Sequence, residues 1–230
     1  MKTSWGYAAW LAVSGLVCVA ITIFAASAYV GLDMSQARPP LHGPVHYGLL
    51  VAHIFTGTVA VLAGVSQFWP RLRGRHPRVH RAMGRVYFAA VLPSSVLGVV
   101  CAQLSLAGLA SSAPLTVLSV LWFVTALYGL KTARRRQFGE HRIWMIRGFA
   151  LTGAAVTGRL WGLALGSLMP GSDGADGLLI FATANWLSFV VNLLVAEWWI
   201  QSRGYTRTLP SVALKPSISS RSAQSSASVA

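Results

Sequence analysis

The sequence predicts an all-α integral membrane protein, a bundle of six transmembrane helices with both termini in the cytoplasm. Of its 230 residues, 54% are apolar and only 10% are charged, whereas soluble domains carry about 25% charged residues. Long stretches such as 39–70 and 86–130 contain no Asp, Glu, Lys or Arg, and a helix needs roughly 20 apolar residues to cross a bilayer. This composition excludes a soluble enzyme, a disordered chain and a disulfide-stapled secreted domain.

Six apolar stretches are long enough to be membrane spans. They cover residues 5–30, 45–69, 83–103, 114–130, 143–168 and 178–200. The uncharged run 86–130 is too long for one helix, so we expect the chain to fold back near 108–112, where small residues favour a turn. The first stretch follows Lys2 and also fits a cleaved signal peptide. Its apolar run exceeds the usual signal core of about 7–15 residues, which favours an uncleaved anchor.

The formal net charge of +14 is concentrated in three clusters that follow the second, fourth and sixth stretches. The clusters contain Arg71, Arg73, Arg75, Arg78, Arg81 and Arg85, then Lys131, Arg134, Arg135, Arg136 and Arg142, and finally Arg203, Arg207, Lys215 and Arg221. Clustered positive charge is typical of the cytoplasmic loops of membrane proteins. We therefore predict a multi-pass protein of the cytoplasmic (inner) membrane. Its expected partners are the lipid bilayer and anionic phospholipid headgroups, not nucleic acid.

The same pattern divides the chain into four regions. Residues 1–44 hold the first transmembrane helix and an outer loop, and residues 45–168 form a four-helix core. Residues 169–202 hold a second outer loop and the sixth transmembrane helix. Residues 203–230 are rich in serine and lack hydrophobic periodicity, so we predict a disordered cytoplasmic tail.

Two histidines stand at equivalent places in the predicted core. His80 and His141 each follow a basic loop, precede an arginine and begin a returning span. In a four-helix bundle they lie at one depth near the cytoplasmic face, and bundle cores commonly hold cofactors between facing helices. The sharpest hypothesis is a membrane electron carrier that binds one b-type haem between these two imidazoles. Four arginines would neutralise the haem propionates, namely Arg81, Arg85, Arg142 and Arg147.

A second interpretation needs no cofactor. The His-Arg pairs then anchor the protein at the membrane surface, where arginines pair with lipid phosphates, or the arginine clusters bind a small anionic ligand in a carrier or receptor. A quinol or another redox partner is expected only if haem is present. The sequence lacks the motifs of nucleophilic and metal-dependent enzymes, so we predict no catalytic residue and no metal site.

Two polar side chains lie deep inside predicted spans, where a polar group is costly unless it faces the bundle or a cavity. His53 lies in the second span and is a further candidate for binding the cofactor, and Arg159 lies in the outer third of the fifth span. Asp173 and Asp176, in the following loop, are the expected ion-pair partners of Arg159. Gln67 is a further polar position near the end of the second span.

The sixth span carries a row of small polar residues. Asn185, Ser188 and Asn192 recur at i, i+3 and i+7, a spacing that places all three on one helical face. We expect this face to point into the bundle and not toward lipid. In the ligand-carrier interpretation, Asn185, Asn192 and Arg159 would line the path of the ligand.

Five motifs together resemble one protein family. They are His53-x3-Gly57, Gln67-Phe68, the stretch from His80 to Tyr87, His141-Arg142-x-Trp144-Met145-x-Arg147, and Ala154-Ala155-Val156-Thr157-x-Arg159. Over residues 45–165 the chain is similar to the bacterial predicted membrane protein family known as domain of unknown function 2306. The activity of that family is not established, so the resemblance implies a membrane protein and gives weight to these positions.

The chain more distantly resembles the cytochrome b561 group, six-helix membrane proteins in which paired histidines hold two b-type haems. That arrangement requires a histidine on each of four successive helices. The fourth predicted span of this chain has none and offers only Trp122, Thr125 and Tyr128. The resemblance therefore implies one haem at most.

Overall fold

The computed structural model describes residues 5–36, 41–171 and 174–205. Within these residues the chain forms helices joined by short turns, and no strand occurs. The eight α-helices of this part are α1 (Trp5–Ser27), α2 (Pro44–Gln67), α3 (Pro70–Arg75), α4 (Pro77–Gln103), α5 (Leu109–Arg134), α6 (Phe138–Thr152), α7 (Ala154–Leu168) and α8 (Ala175–Ser202). Helices α2 and α4 begin with Pro44 and Pro77, because a helix needs no N–H from its first residue. The predicted all-α fold is confirmed.

Four helices are long and apolar enough to cross a membrane, namely α2, α4, α5 and α8. They correspond to the second, third, fourth and sixth predicted spans and support a membrane protein. The first predicted span corresponds to α1, whose apolar segment Ala12–Ser27 is shorter than these four. The predicted fifth span is divided at Gly153 into two helices of 15 residues each. From residue 206 onward, the predicted serine-rich tail lies outside the described residues.

Helices α2, α4, α5 and α6 surround one interior, with α4 and α6 on opposite sides of it and each packed against α2 and α5. Helix α8 packs along α5, α6 and α7, and α1 lies outside against α2 and α7. Glycines allow these helices to approach closely. A β-carbon at Gly64 would lie 2.7 Å from the Phe149 ring, and a β-carbon at Gly98 would lie 2.6 Å from Ser119 Oγ.

The arginine-rich turns lie together at one end of the bundle, called here the basic end. It comprises the end of α2, helix α3, the starts of α4 and α6, and the ends of α5 and α8. There the Arg142 guanidinium of α6 lies 5.3 Å from the ring of Tyr205, just beyond α8. The opposite, distal end joins α4 to α5, where the Gln103 amide donates a 2.7 Å hydrogen bond to Thr116 Oγ1. The predicted basic loops therefore meet on one side of the protein.

The break between α6 and α7 is built around Gly153 and one side chain of α8. The Gly153 N–H donates to the Phe149 carbonyl at 2.8 Å. The Asn192 amide of α8 donates to the Ala150 carbonyl at 2.9 Å and to Thr157 Oγ1 at 3.1 Å. Asn192 thus joins the last turn of α6 to the first turn of α7. A side-chain donor at such a point is one of the recognised causes of an interrupted helix.

Candidate functional site

His80 and His141 both face the interior at the basic end. His80 and Tyr87 are two turns apart on α4, as are His141 and Gly148 on α6, so each pair shares one helical face. Tyr87 and Gly148 meet across the interior, because the tyrosine hydroxyl lies 3.6 Å from the β-carbon position of Gly148. His80 also lies within electrostatic range of His141. The structure therefore brings together two histidines from opposite sides of the core.

The ring nitrogens of these two histidines differ in their surroundings. His141 Nδ1 lies 2.9 Å from the Gly129 carbonyl of α5. A carbonyl only accepts, so Nδ1 carries the proton, and Nε2 of the neutral ring keeps a free lone pair. Metal-binding histidines are commonly oriented by such a bond to a backbone carbonyl. His80 Nδ1 is buried and has no hydrogen-bond partner among the described residues, and an unmatched buried polar atom points to a missing partner.

The four arginines predicted to neutralise the propionates lie in two kinds of surroundings. Arg81, Arg85 and Arg142 are exposed at the basic end. Arg147 is instead paired with Glu197 of α8, with Nε 2.5 Å from Oε1 and Nη2 3.0 Å from Oε2. This two-donor fork is a strong form of ion pair, and it commits Arg147 to Glu197. Three arginines are left at the surface for an anionic group.

Glu197 was not among the residues singled out from the sequence. The available signal was a lone carboxylate inside the apolar sixth span, since a charged group at such a position usually has a partner. Which cation it meets depends on how α6 and α8 cross. Spacing within either helix does not specify that crossing.

A column of aromatic rings and cations extends from this ion pair. The Arg147 guanidinium lies 5.0 Å from the Trp144 ring centre. Trp144 stacks on Tyr128 of α5 with centroids 4.7 Å apart, and Lys131 Nζ lies 5.7 Å from the Tyr128 ring. Cations over aromatic faces are attracted by the ring quadrupole. The column joins α5, α6 and α8 about one helical turn beyond His141 along α6.

A buried hydrogen-bonded group lies between the histidines and the middle of the bundle. Thr152 Oγ1 of α6 donates to the Gly148 carbonyl at 2.9 Å and accepts from Trp122 Nε1 of α5 at 2.9 Å. The Tyr87 hydroxyl lies 3.1 Å from the same oxygen. Thr152 has already used its one hydrogen, so Tyr87 donates. Tyr87 lies about 10 Å along α4 from His80 at 1.5 Å per residue. Tyr87 ends the motif that begins at His80, but sequence spacing does not predict its hydrogen bond to Thr152.

His53 lies in a separate place, toward the distal end. Its Nδ1 donates to the Ser94 carbonyl of α4 at 2.8 Å, and Ser94 Oγ donates back to the His53 carbonyl at 3.1 Å. Ser94 is 14 residues beyond His80 on α4, or about 21 Å along the helix axis. His53 therefore does not join the pair of histidines at the basic end.

The remaining predicted polar positions fall at helix contacts. Gln67 Oε1 lies 3.5 Å from the β-carbon position of Gly84 on α4. Ser188 lies 3.4 Å from the β-carbon position of Gly158, so it faces α7, as Asn192 does. Asn185 donates at 2.7 Å to a carbonyl of its own helix.

Arg159 is exposed, and its guanidinium donates to the Ala155 carbonyl one turn earlier on α7. Of its two predicted partners, Asp173 lies outside the described residues, and Asp176 lies in the first turn of α8. Among the described residues no group of three or more His, Cys, Asp or Glu side chains is placed to hold a metal ion.

At the distal end the His42 N–H donates to His46 Nδ1 at 3.2 Å, which fixes the start of α2.

The fold and these contacts define a helical membrane protein with charged and aromatic residues at one end and a hydrogen-bonded core. The family model described as "Predicted membrane protein (DUF2306)" matches residues 50–200. The chain belongs to this family, as its motifs predicted. No curated protein and no solved structure matches the chain. The more distant likeness to the cytochrome b561 group stays a prediction.

Proposed function

We propose that this protein is a membrane electron carrier that holds one b-type haem between His80 and His141 at the basic end. The observation that carries the proposal is the facing pair of interior histidines. His141 has Nδ1 fixed by the Gly129 carbonyl, which leaves Nε2 of its neutral ring as an acceptor, and His80 has a buried Nδ1 without a partner among the described residues. Two neutral imidazoles are a usual axial ligand set for a low-spin haem that transfers electrons.

The residues at this level fit such a group. The haem would lie between α4 and α6, which face each other across the interior. Gly84 and Gly129 present no side chain there, and the nearest neighbours of the Gly129 β-carbon position are the Met145 sulfur at 3.3 Å and the Phe88 ring at 3.5 Å. Methionine side chains adapt readily to a new neighbour. The propionates would meet exposed arginines at the surface.

Each part of the chain then has a defined task. A ring nitrogen of His80 and Nε2 of His141 would bind the iron, and the Gly129 carbonyl would hold the His141 ring in its orientation. Arg81, Arg85 and Arg142 would neutralise the propionates. The Arg147–Glu197 pair fixes α6 against α8 without a net charge. A bound haem supplies one-electron chemistry, and the chain determines its position and surroundings.

The experiment is a comparison of haem content among three histidine variants purified in mild detergent. His80→Ala and His141→Ala should each lose the low-spin haem spectrum, because each removes one axial ligand. His76→Ala is the matched control, since His76 is an exposed histidine one turn before His80. It should keep wild-type haem. Loss of haem in only one of the first two variants would contradict the paired-ligand arrangement.

A second function is favoured by the exposure of the arginines. Arg81, Arg85 and Arg142 are exposed, and the Arg203 guanidinium lies 4.4 Å from the Trp199 ring. Such cation and aromatic pairs suit the headgroup layer. A protein without haem would use them to anchor anionic lipid or to bind a small anionic ligand. Folded wild-type protein without haem would favour this alternative.

The proposed arrangement in the bacterial inner membrane has six crossings. Helix α1 makes the first, and α6 and α7 together make the fifth, so the basic end and both termini lie in the cytoplasm. The charge pattern and the shared position of the basic turns support this topology. Reporter fusions at Gly31 and Leu106 should report the outside, and fusions at Gly74 and Gln137 the inside. A reversal at any one position would break the six-span arrangement.

A further inference from the structure

A histidine at the distal end holds the start of α2. The N-cap of this helix is Gly43, which has a φ of 120°, a conformation that favours glycine, and which offers no side chain to cap the helix. His46, the third residue of the helix, supplies a bond instead, because its Nδ1 accepts the His42 N–H at 3.2 Å. A capping box is similar, since the third side chain of the helix accepts a backbone N–H from just before it. The His46 imidazole therefore ties the segment 41–43 to α2.

The two nitrogens of the His46 ring have different roles. A backbone N–H only donates, so Nδ1 carries no proton, and the neutral ring holds its proton on Nε2. The other hydrogen-bond partner of the ring is the backbone of Cys101, near the end of α4. Its carbonyl only accepts, so Nε2 is the donor to α4. The ring thus joins the segment 41–43 through an acceptor and α4 through a donor.

Three features of this place oppose a positive charge on the ring. His46 is only 4% exposed, and a buried charge without a partner is costly. The ring belongs to the first turn of α2, where the helix dipole favours negative groups over positive ones. A charge on His42 would also repel a charged His46. The folded arrangement therefore requires a neutral ring.

The other titratable groups at this end do not offset such a charge. On α4 the titratable residue at this level is Cys101, whose thiol is buried. Tyr29, just beyond α1, faces Tyr47 of α2 with ring centroids 6.4 Å apart, and the Asp33 carboxylate also acts on Tyr47. Within the described part of the chain, no carboxylate is in electrostatic range of His46.

We propose that His46 is a pH-sensitive switch at the distal end of the bundle. While the ring is neutral, it holds the segment 41–43 against α2. A proton that binds Nδ1 turns this nitrogen into a donor, so it can no longer accept the His42 N–H, whereas Nε2 keeps its proton and its bond to α4. The segment is then released, and because it lies between α1 and α2 in the chain, the attachment of α1 is loosened. In the proposed topology this end faces the outside, so the switch responds to acid there.

The test is hydrogen exchange of the His42 amide in the full-length protein in nanodiscs, followed by mass spectrometry at about pH 7.5 and about pH 5, a range in which histidine changes its charge. Protection, corrected for the intrinsic exchange rate, should fall about 10-fold in the wild type at the lower pH, because proton uptake favours the released ring. The informative variant is His46→Asn. Its amide oxygen can replace Nδ1 as the acceptor and does not titrate in this range, so protection should be equal at both pH values.

Two further variants complete the test. His42→Asn is the matched control, because it removes an exposed imidazole but keeps the backbone N–H. It should respond to pH like the wild type. His46→Gln carries the same amide on a longer side chain and should behave like His46→Asn, which covers the case that one of them does not fold.

The outcomes distinguish His46 from its neighbours. No response in the wild type, or an equal response in the wild type and in the His46 variants, would overturn the inference. Loss of the response in His42→Asn would also overturn it, because the His42 side chain would then be the group that titrates. None of these results depends on haem, since His46 lies at the opposite end of the bundle from His80 and His141.

Discussion

The basic end and the distal half of the bundle use histidine in different ways. At the basic end, His80 and His141 face each other from opposite helices, and the buried Nδ1 of His80 has no hydrogen-bond partner in the described part of the chain. In the distal half, His53 is fixed against the backbone of one neighbour, because its Nδ1 donates to the Ser94 carbonyl of α4. The first arrangement suits a group held from two sides, whereas the second joins α2 to α4 by reciprocal hydrogen bonds. The role of a histidine in this bundle therefore depends on the groups that face its ring.

The largest expected effect is a difference in haem content between a variant of the distal half and a variant of the basic end. His53→Phe keeps an aromatic ring of similar size but removes both ring nitrogens. We expect this variant to retain haem at the wild-type level, while His141→Ala loses it, a difference of more than 10-fold in haem per protein. Haem extraction and quantification in detergent measures it. Loss of haem in His53→Phe would show that the two regions are not independent.

A steric substitution tests how closely the basic half is packed. Gly64→Val places a β-carbon 2.7 Å from the Phe149 ring and 3.3 Å from the Tyr87 ring. Overpacking of this kind costs about 1–3 kcal/mol of unfolding free energy, and occasionally more. A thermal melt in detergent should show a clear fall in Tm. Gly74→Val is the control, because no described atom outside its own helix backbone and chain neighbours lies within 4 Å of its β-carbon position.

The next effect is a loss of stability in variants of the buried hydrogen-bonded residues around Thr152. Thr152→Val keeps the shape of the side chain but leaves Trp122 Nε1 and the Tyr87 hydroxyl without an acceptor. Each unmatched donor costs about 1–3 kcal/mol. Tyr87→Phe removes one donor together with its need for a partner, so it should cost less. If Tyr87→Phe lowers Tm as much as Thr152→Val does, the hydrogen bonds are not the stabilising feature.

The smallest expected effect concerns the Arg147–Glu197 pair, whose side chains are 26% and 35% exposed. Glu197→Gln leaves the Arg147 charge without its partner and should lower Tm by a few degrees. Haem content should be unchanged, because Arg147 lies outside the proposed haem contacts. The double variant Arg147→Gln/Glu197→Gln should recover part of the loss. Equal stability of the single and double variants would show that the pair is not coupled.

The sequence predicted the elements whose signal is local. Charge-free stretches predicted the long helices, and the repeated His-Arg pattern identified His80 and His141 as candidate site residues. Both signals depend only on residues that are close together in the sequence. The spacing of Ser188 and Asn192 also predicted their common face toward neighbouring helices. The family membership followed from motifs within residues 50–200.

Contacts between helices could not be predicted from the sequence. The pairing of Glu197 with Arg147 and the contact of His53 with Ser94 depend on crossing geometry, which helical periodicity does not encode. The break at Gly153 was missed because glycine is common in membrane helices. The asparagine that bonds across the break lies 39 residues further along the chain.

The central claim is that one haem is bound between His80 and His141. The most direct test is the reduced-minus-oxidised visible spectrum of wild-type protein, expressed with a haem precursor and purified in mild detergent. The electron-carrier account predicts the sharp bands of a low-spin b-type haem at close to one haem per chain. A flat difference spectrum from folded, monodisperse protein would contradict it.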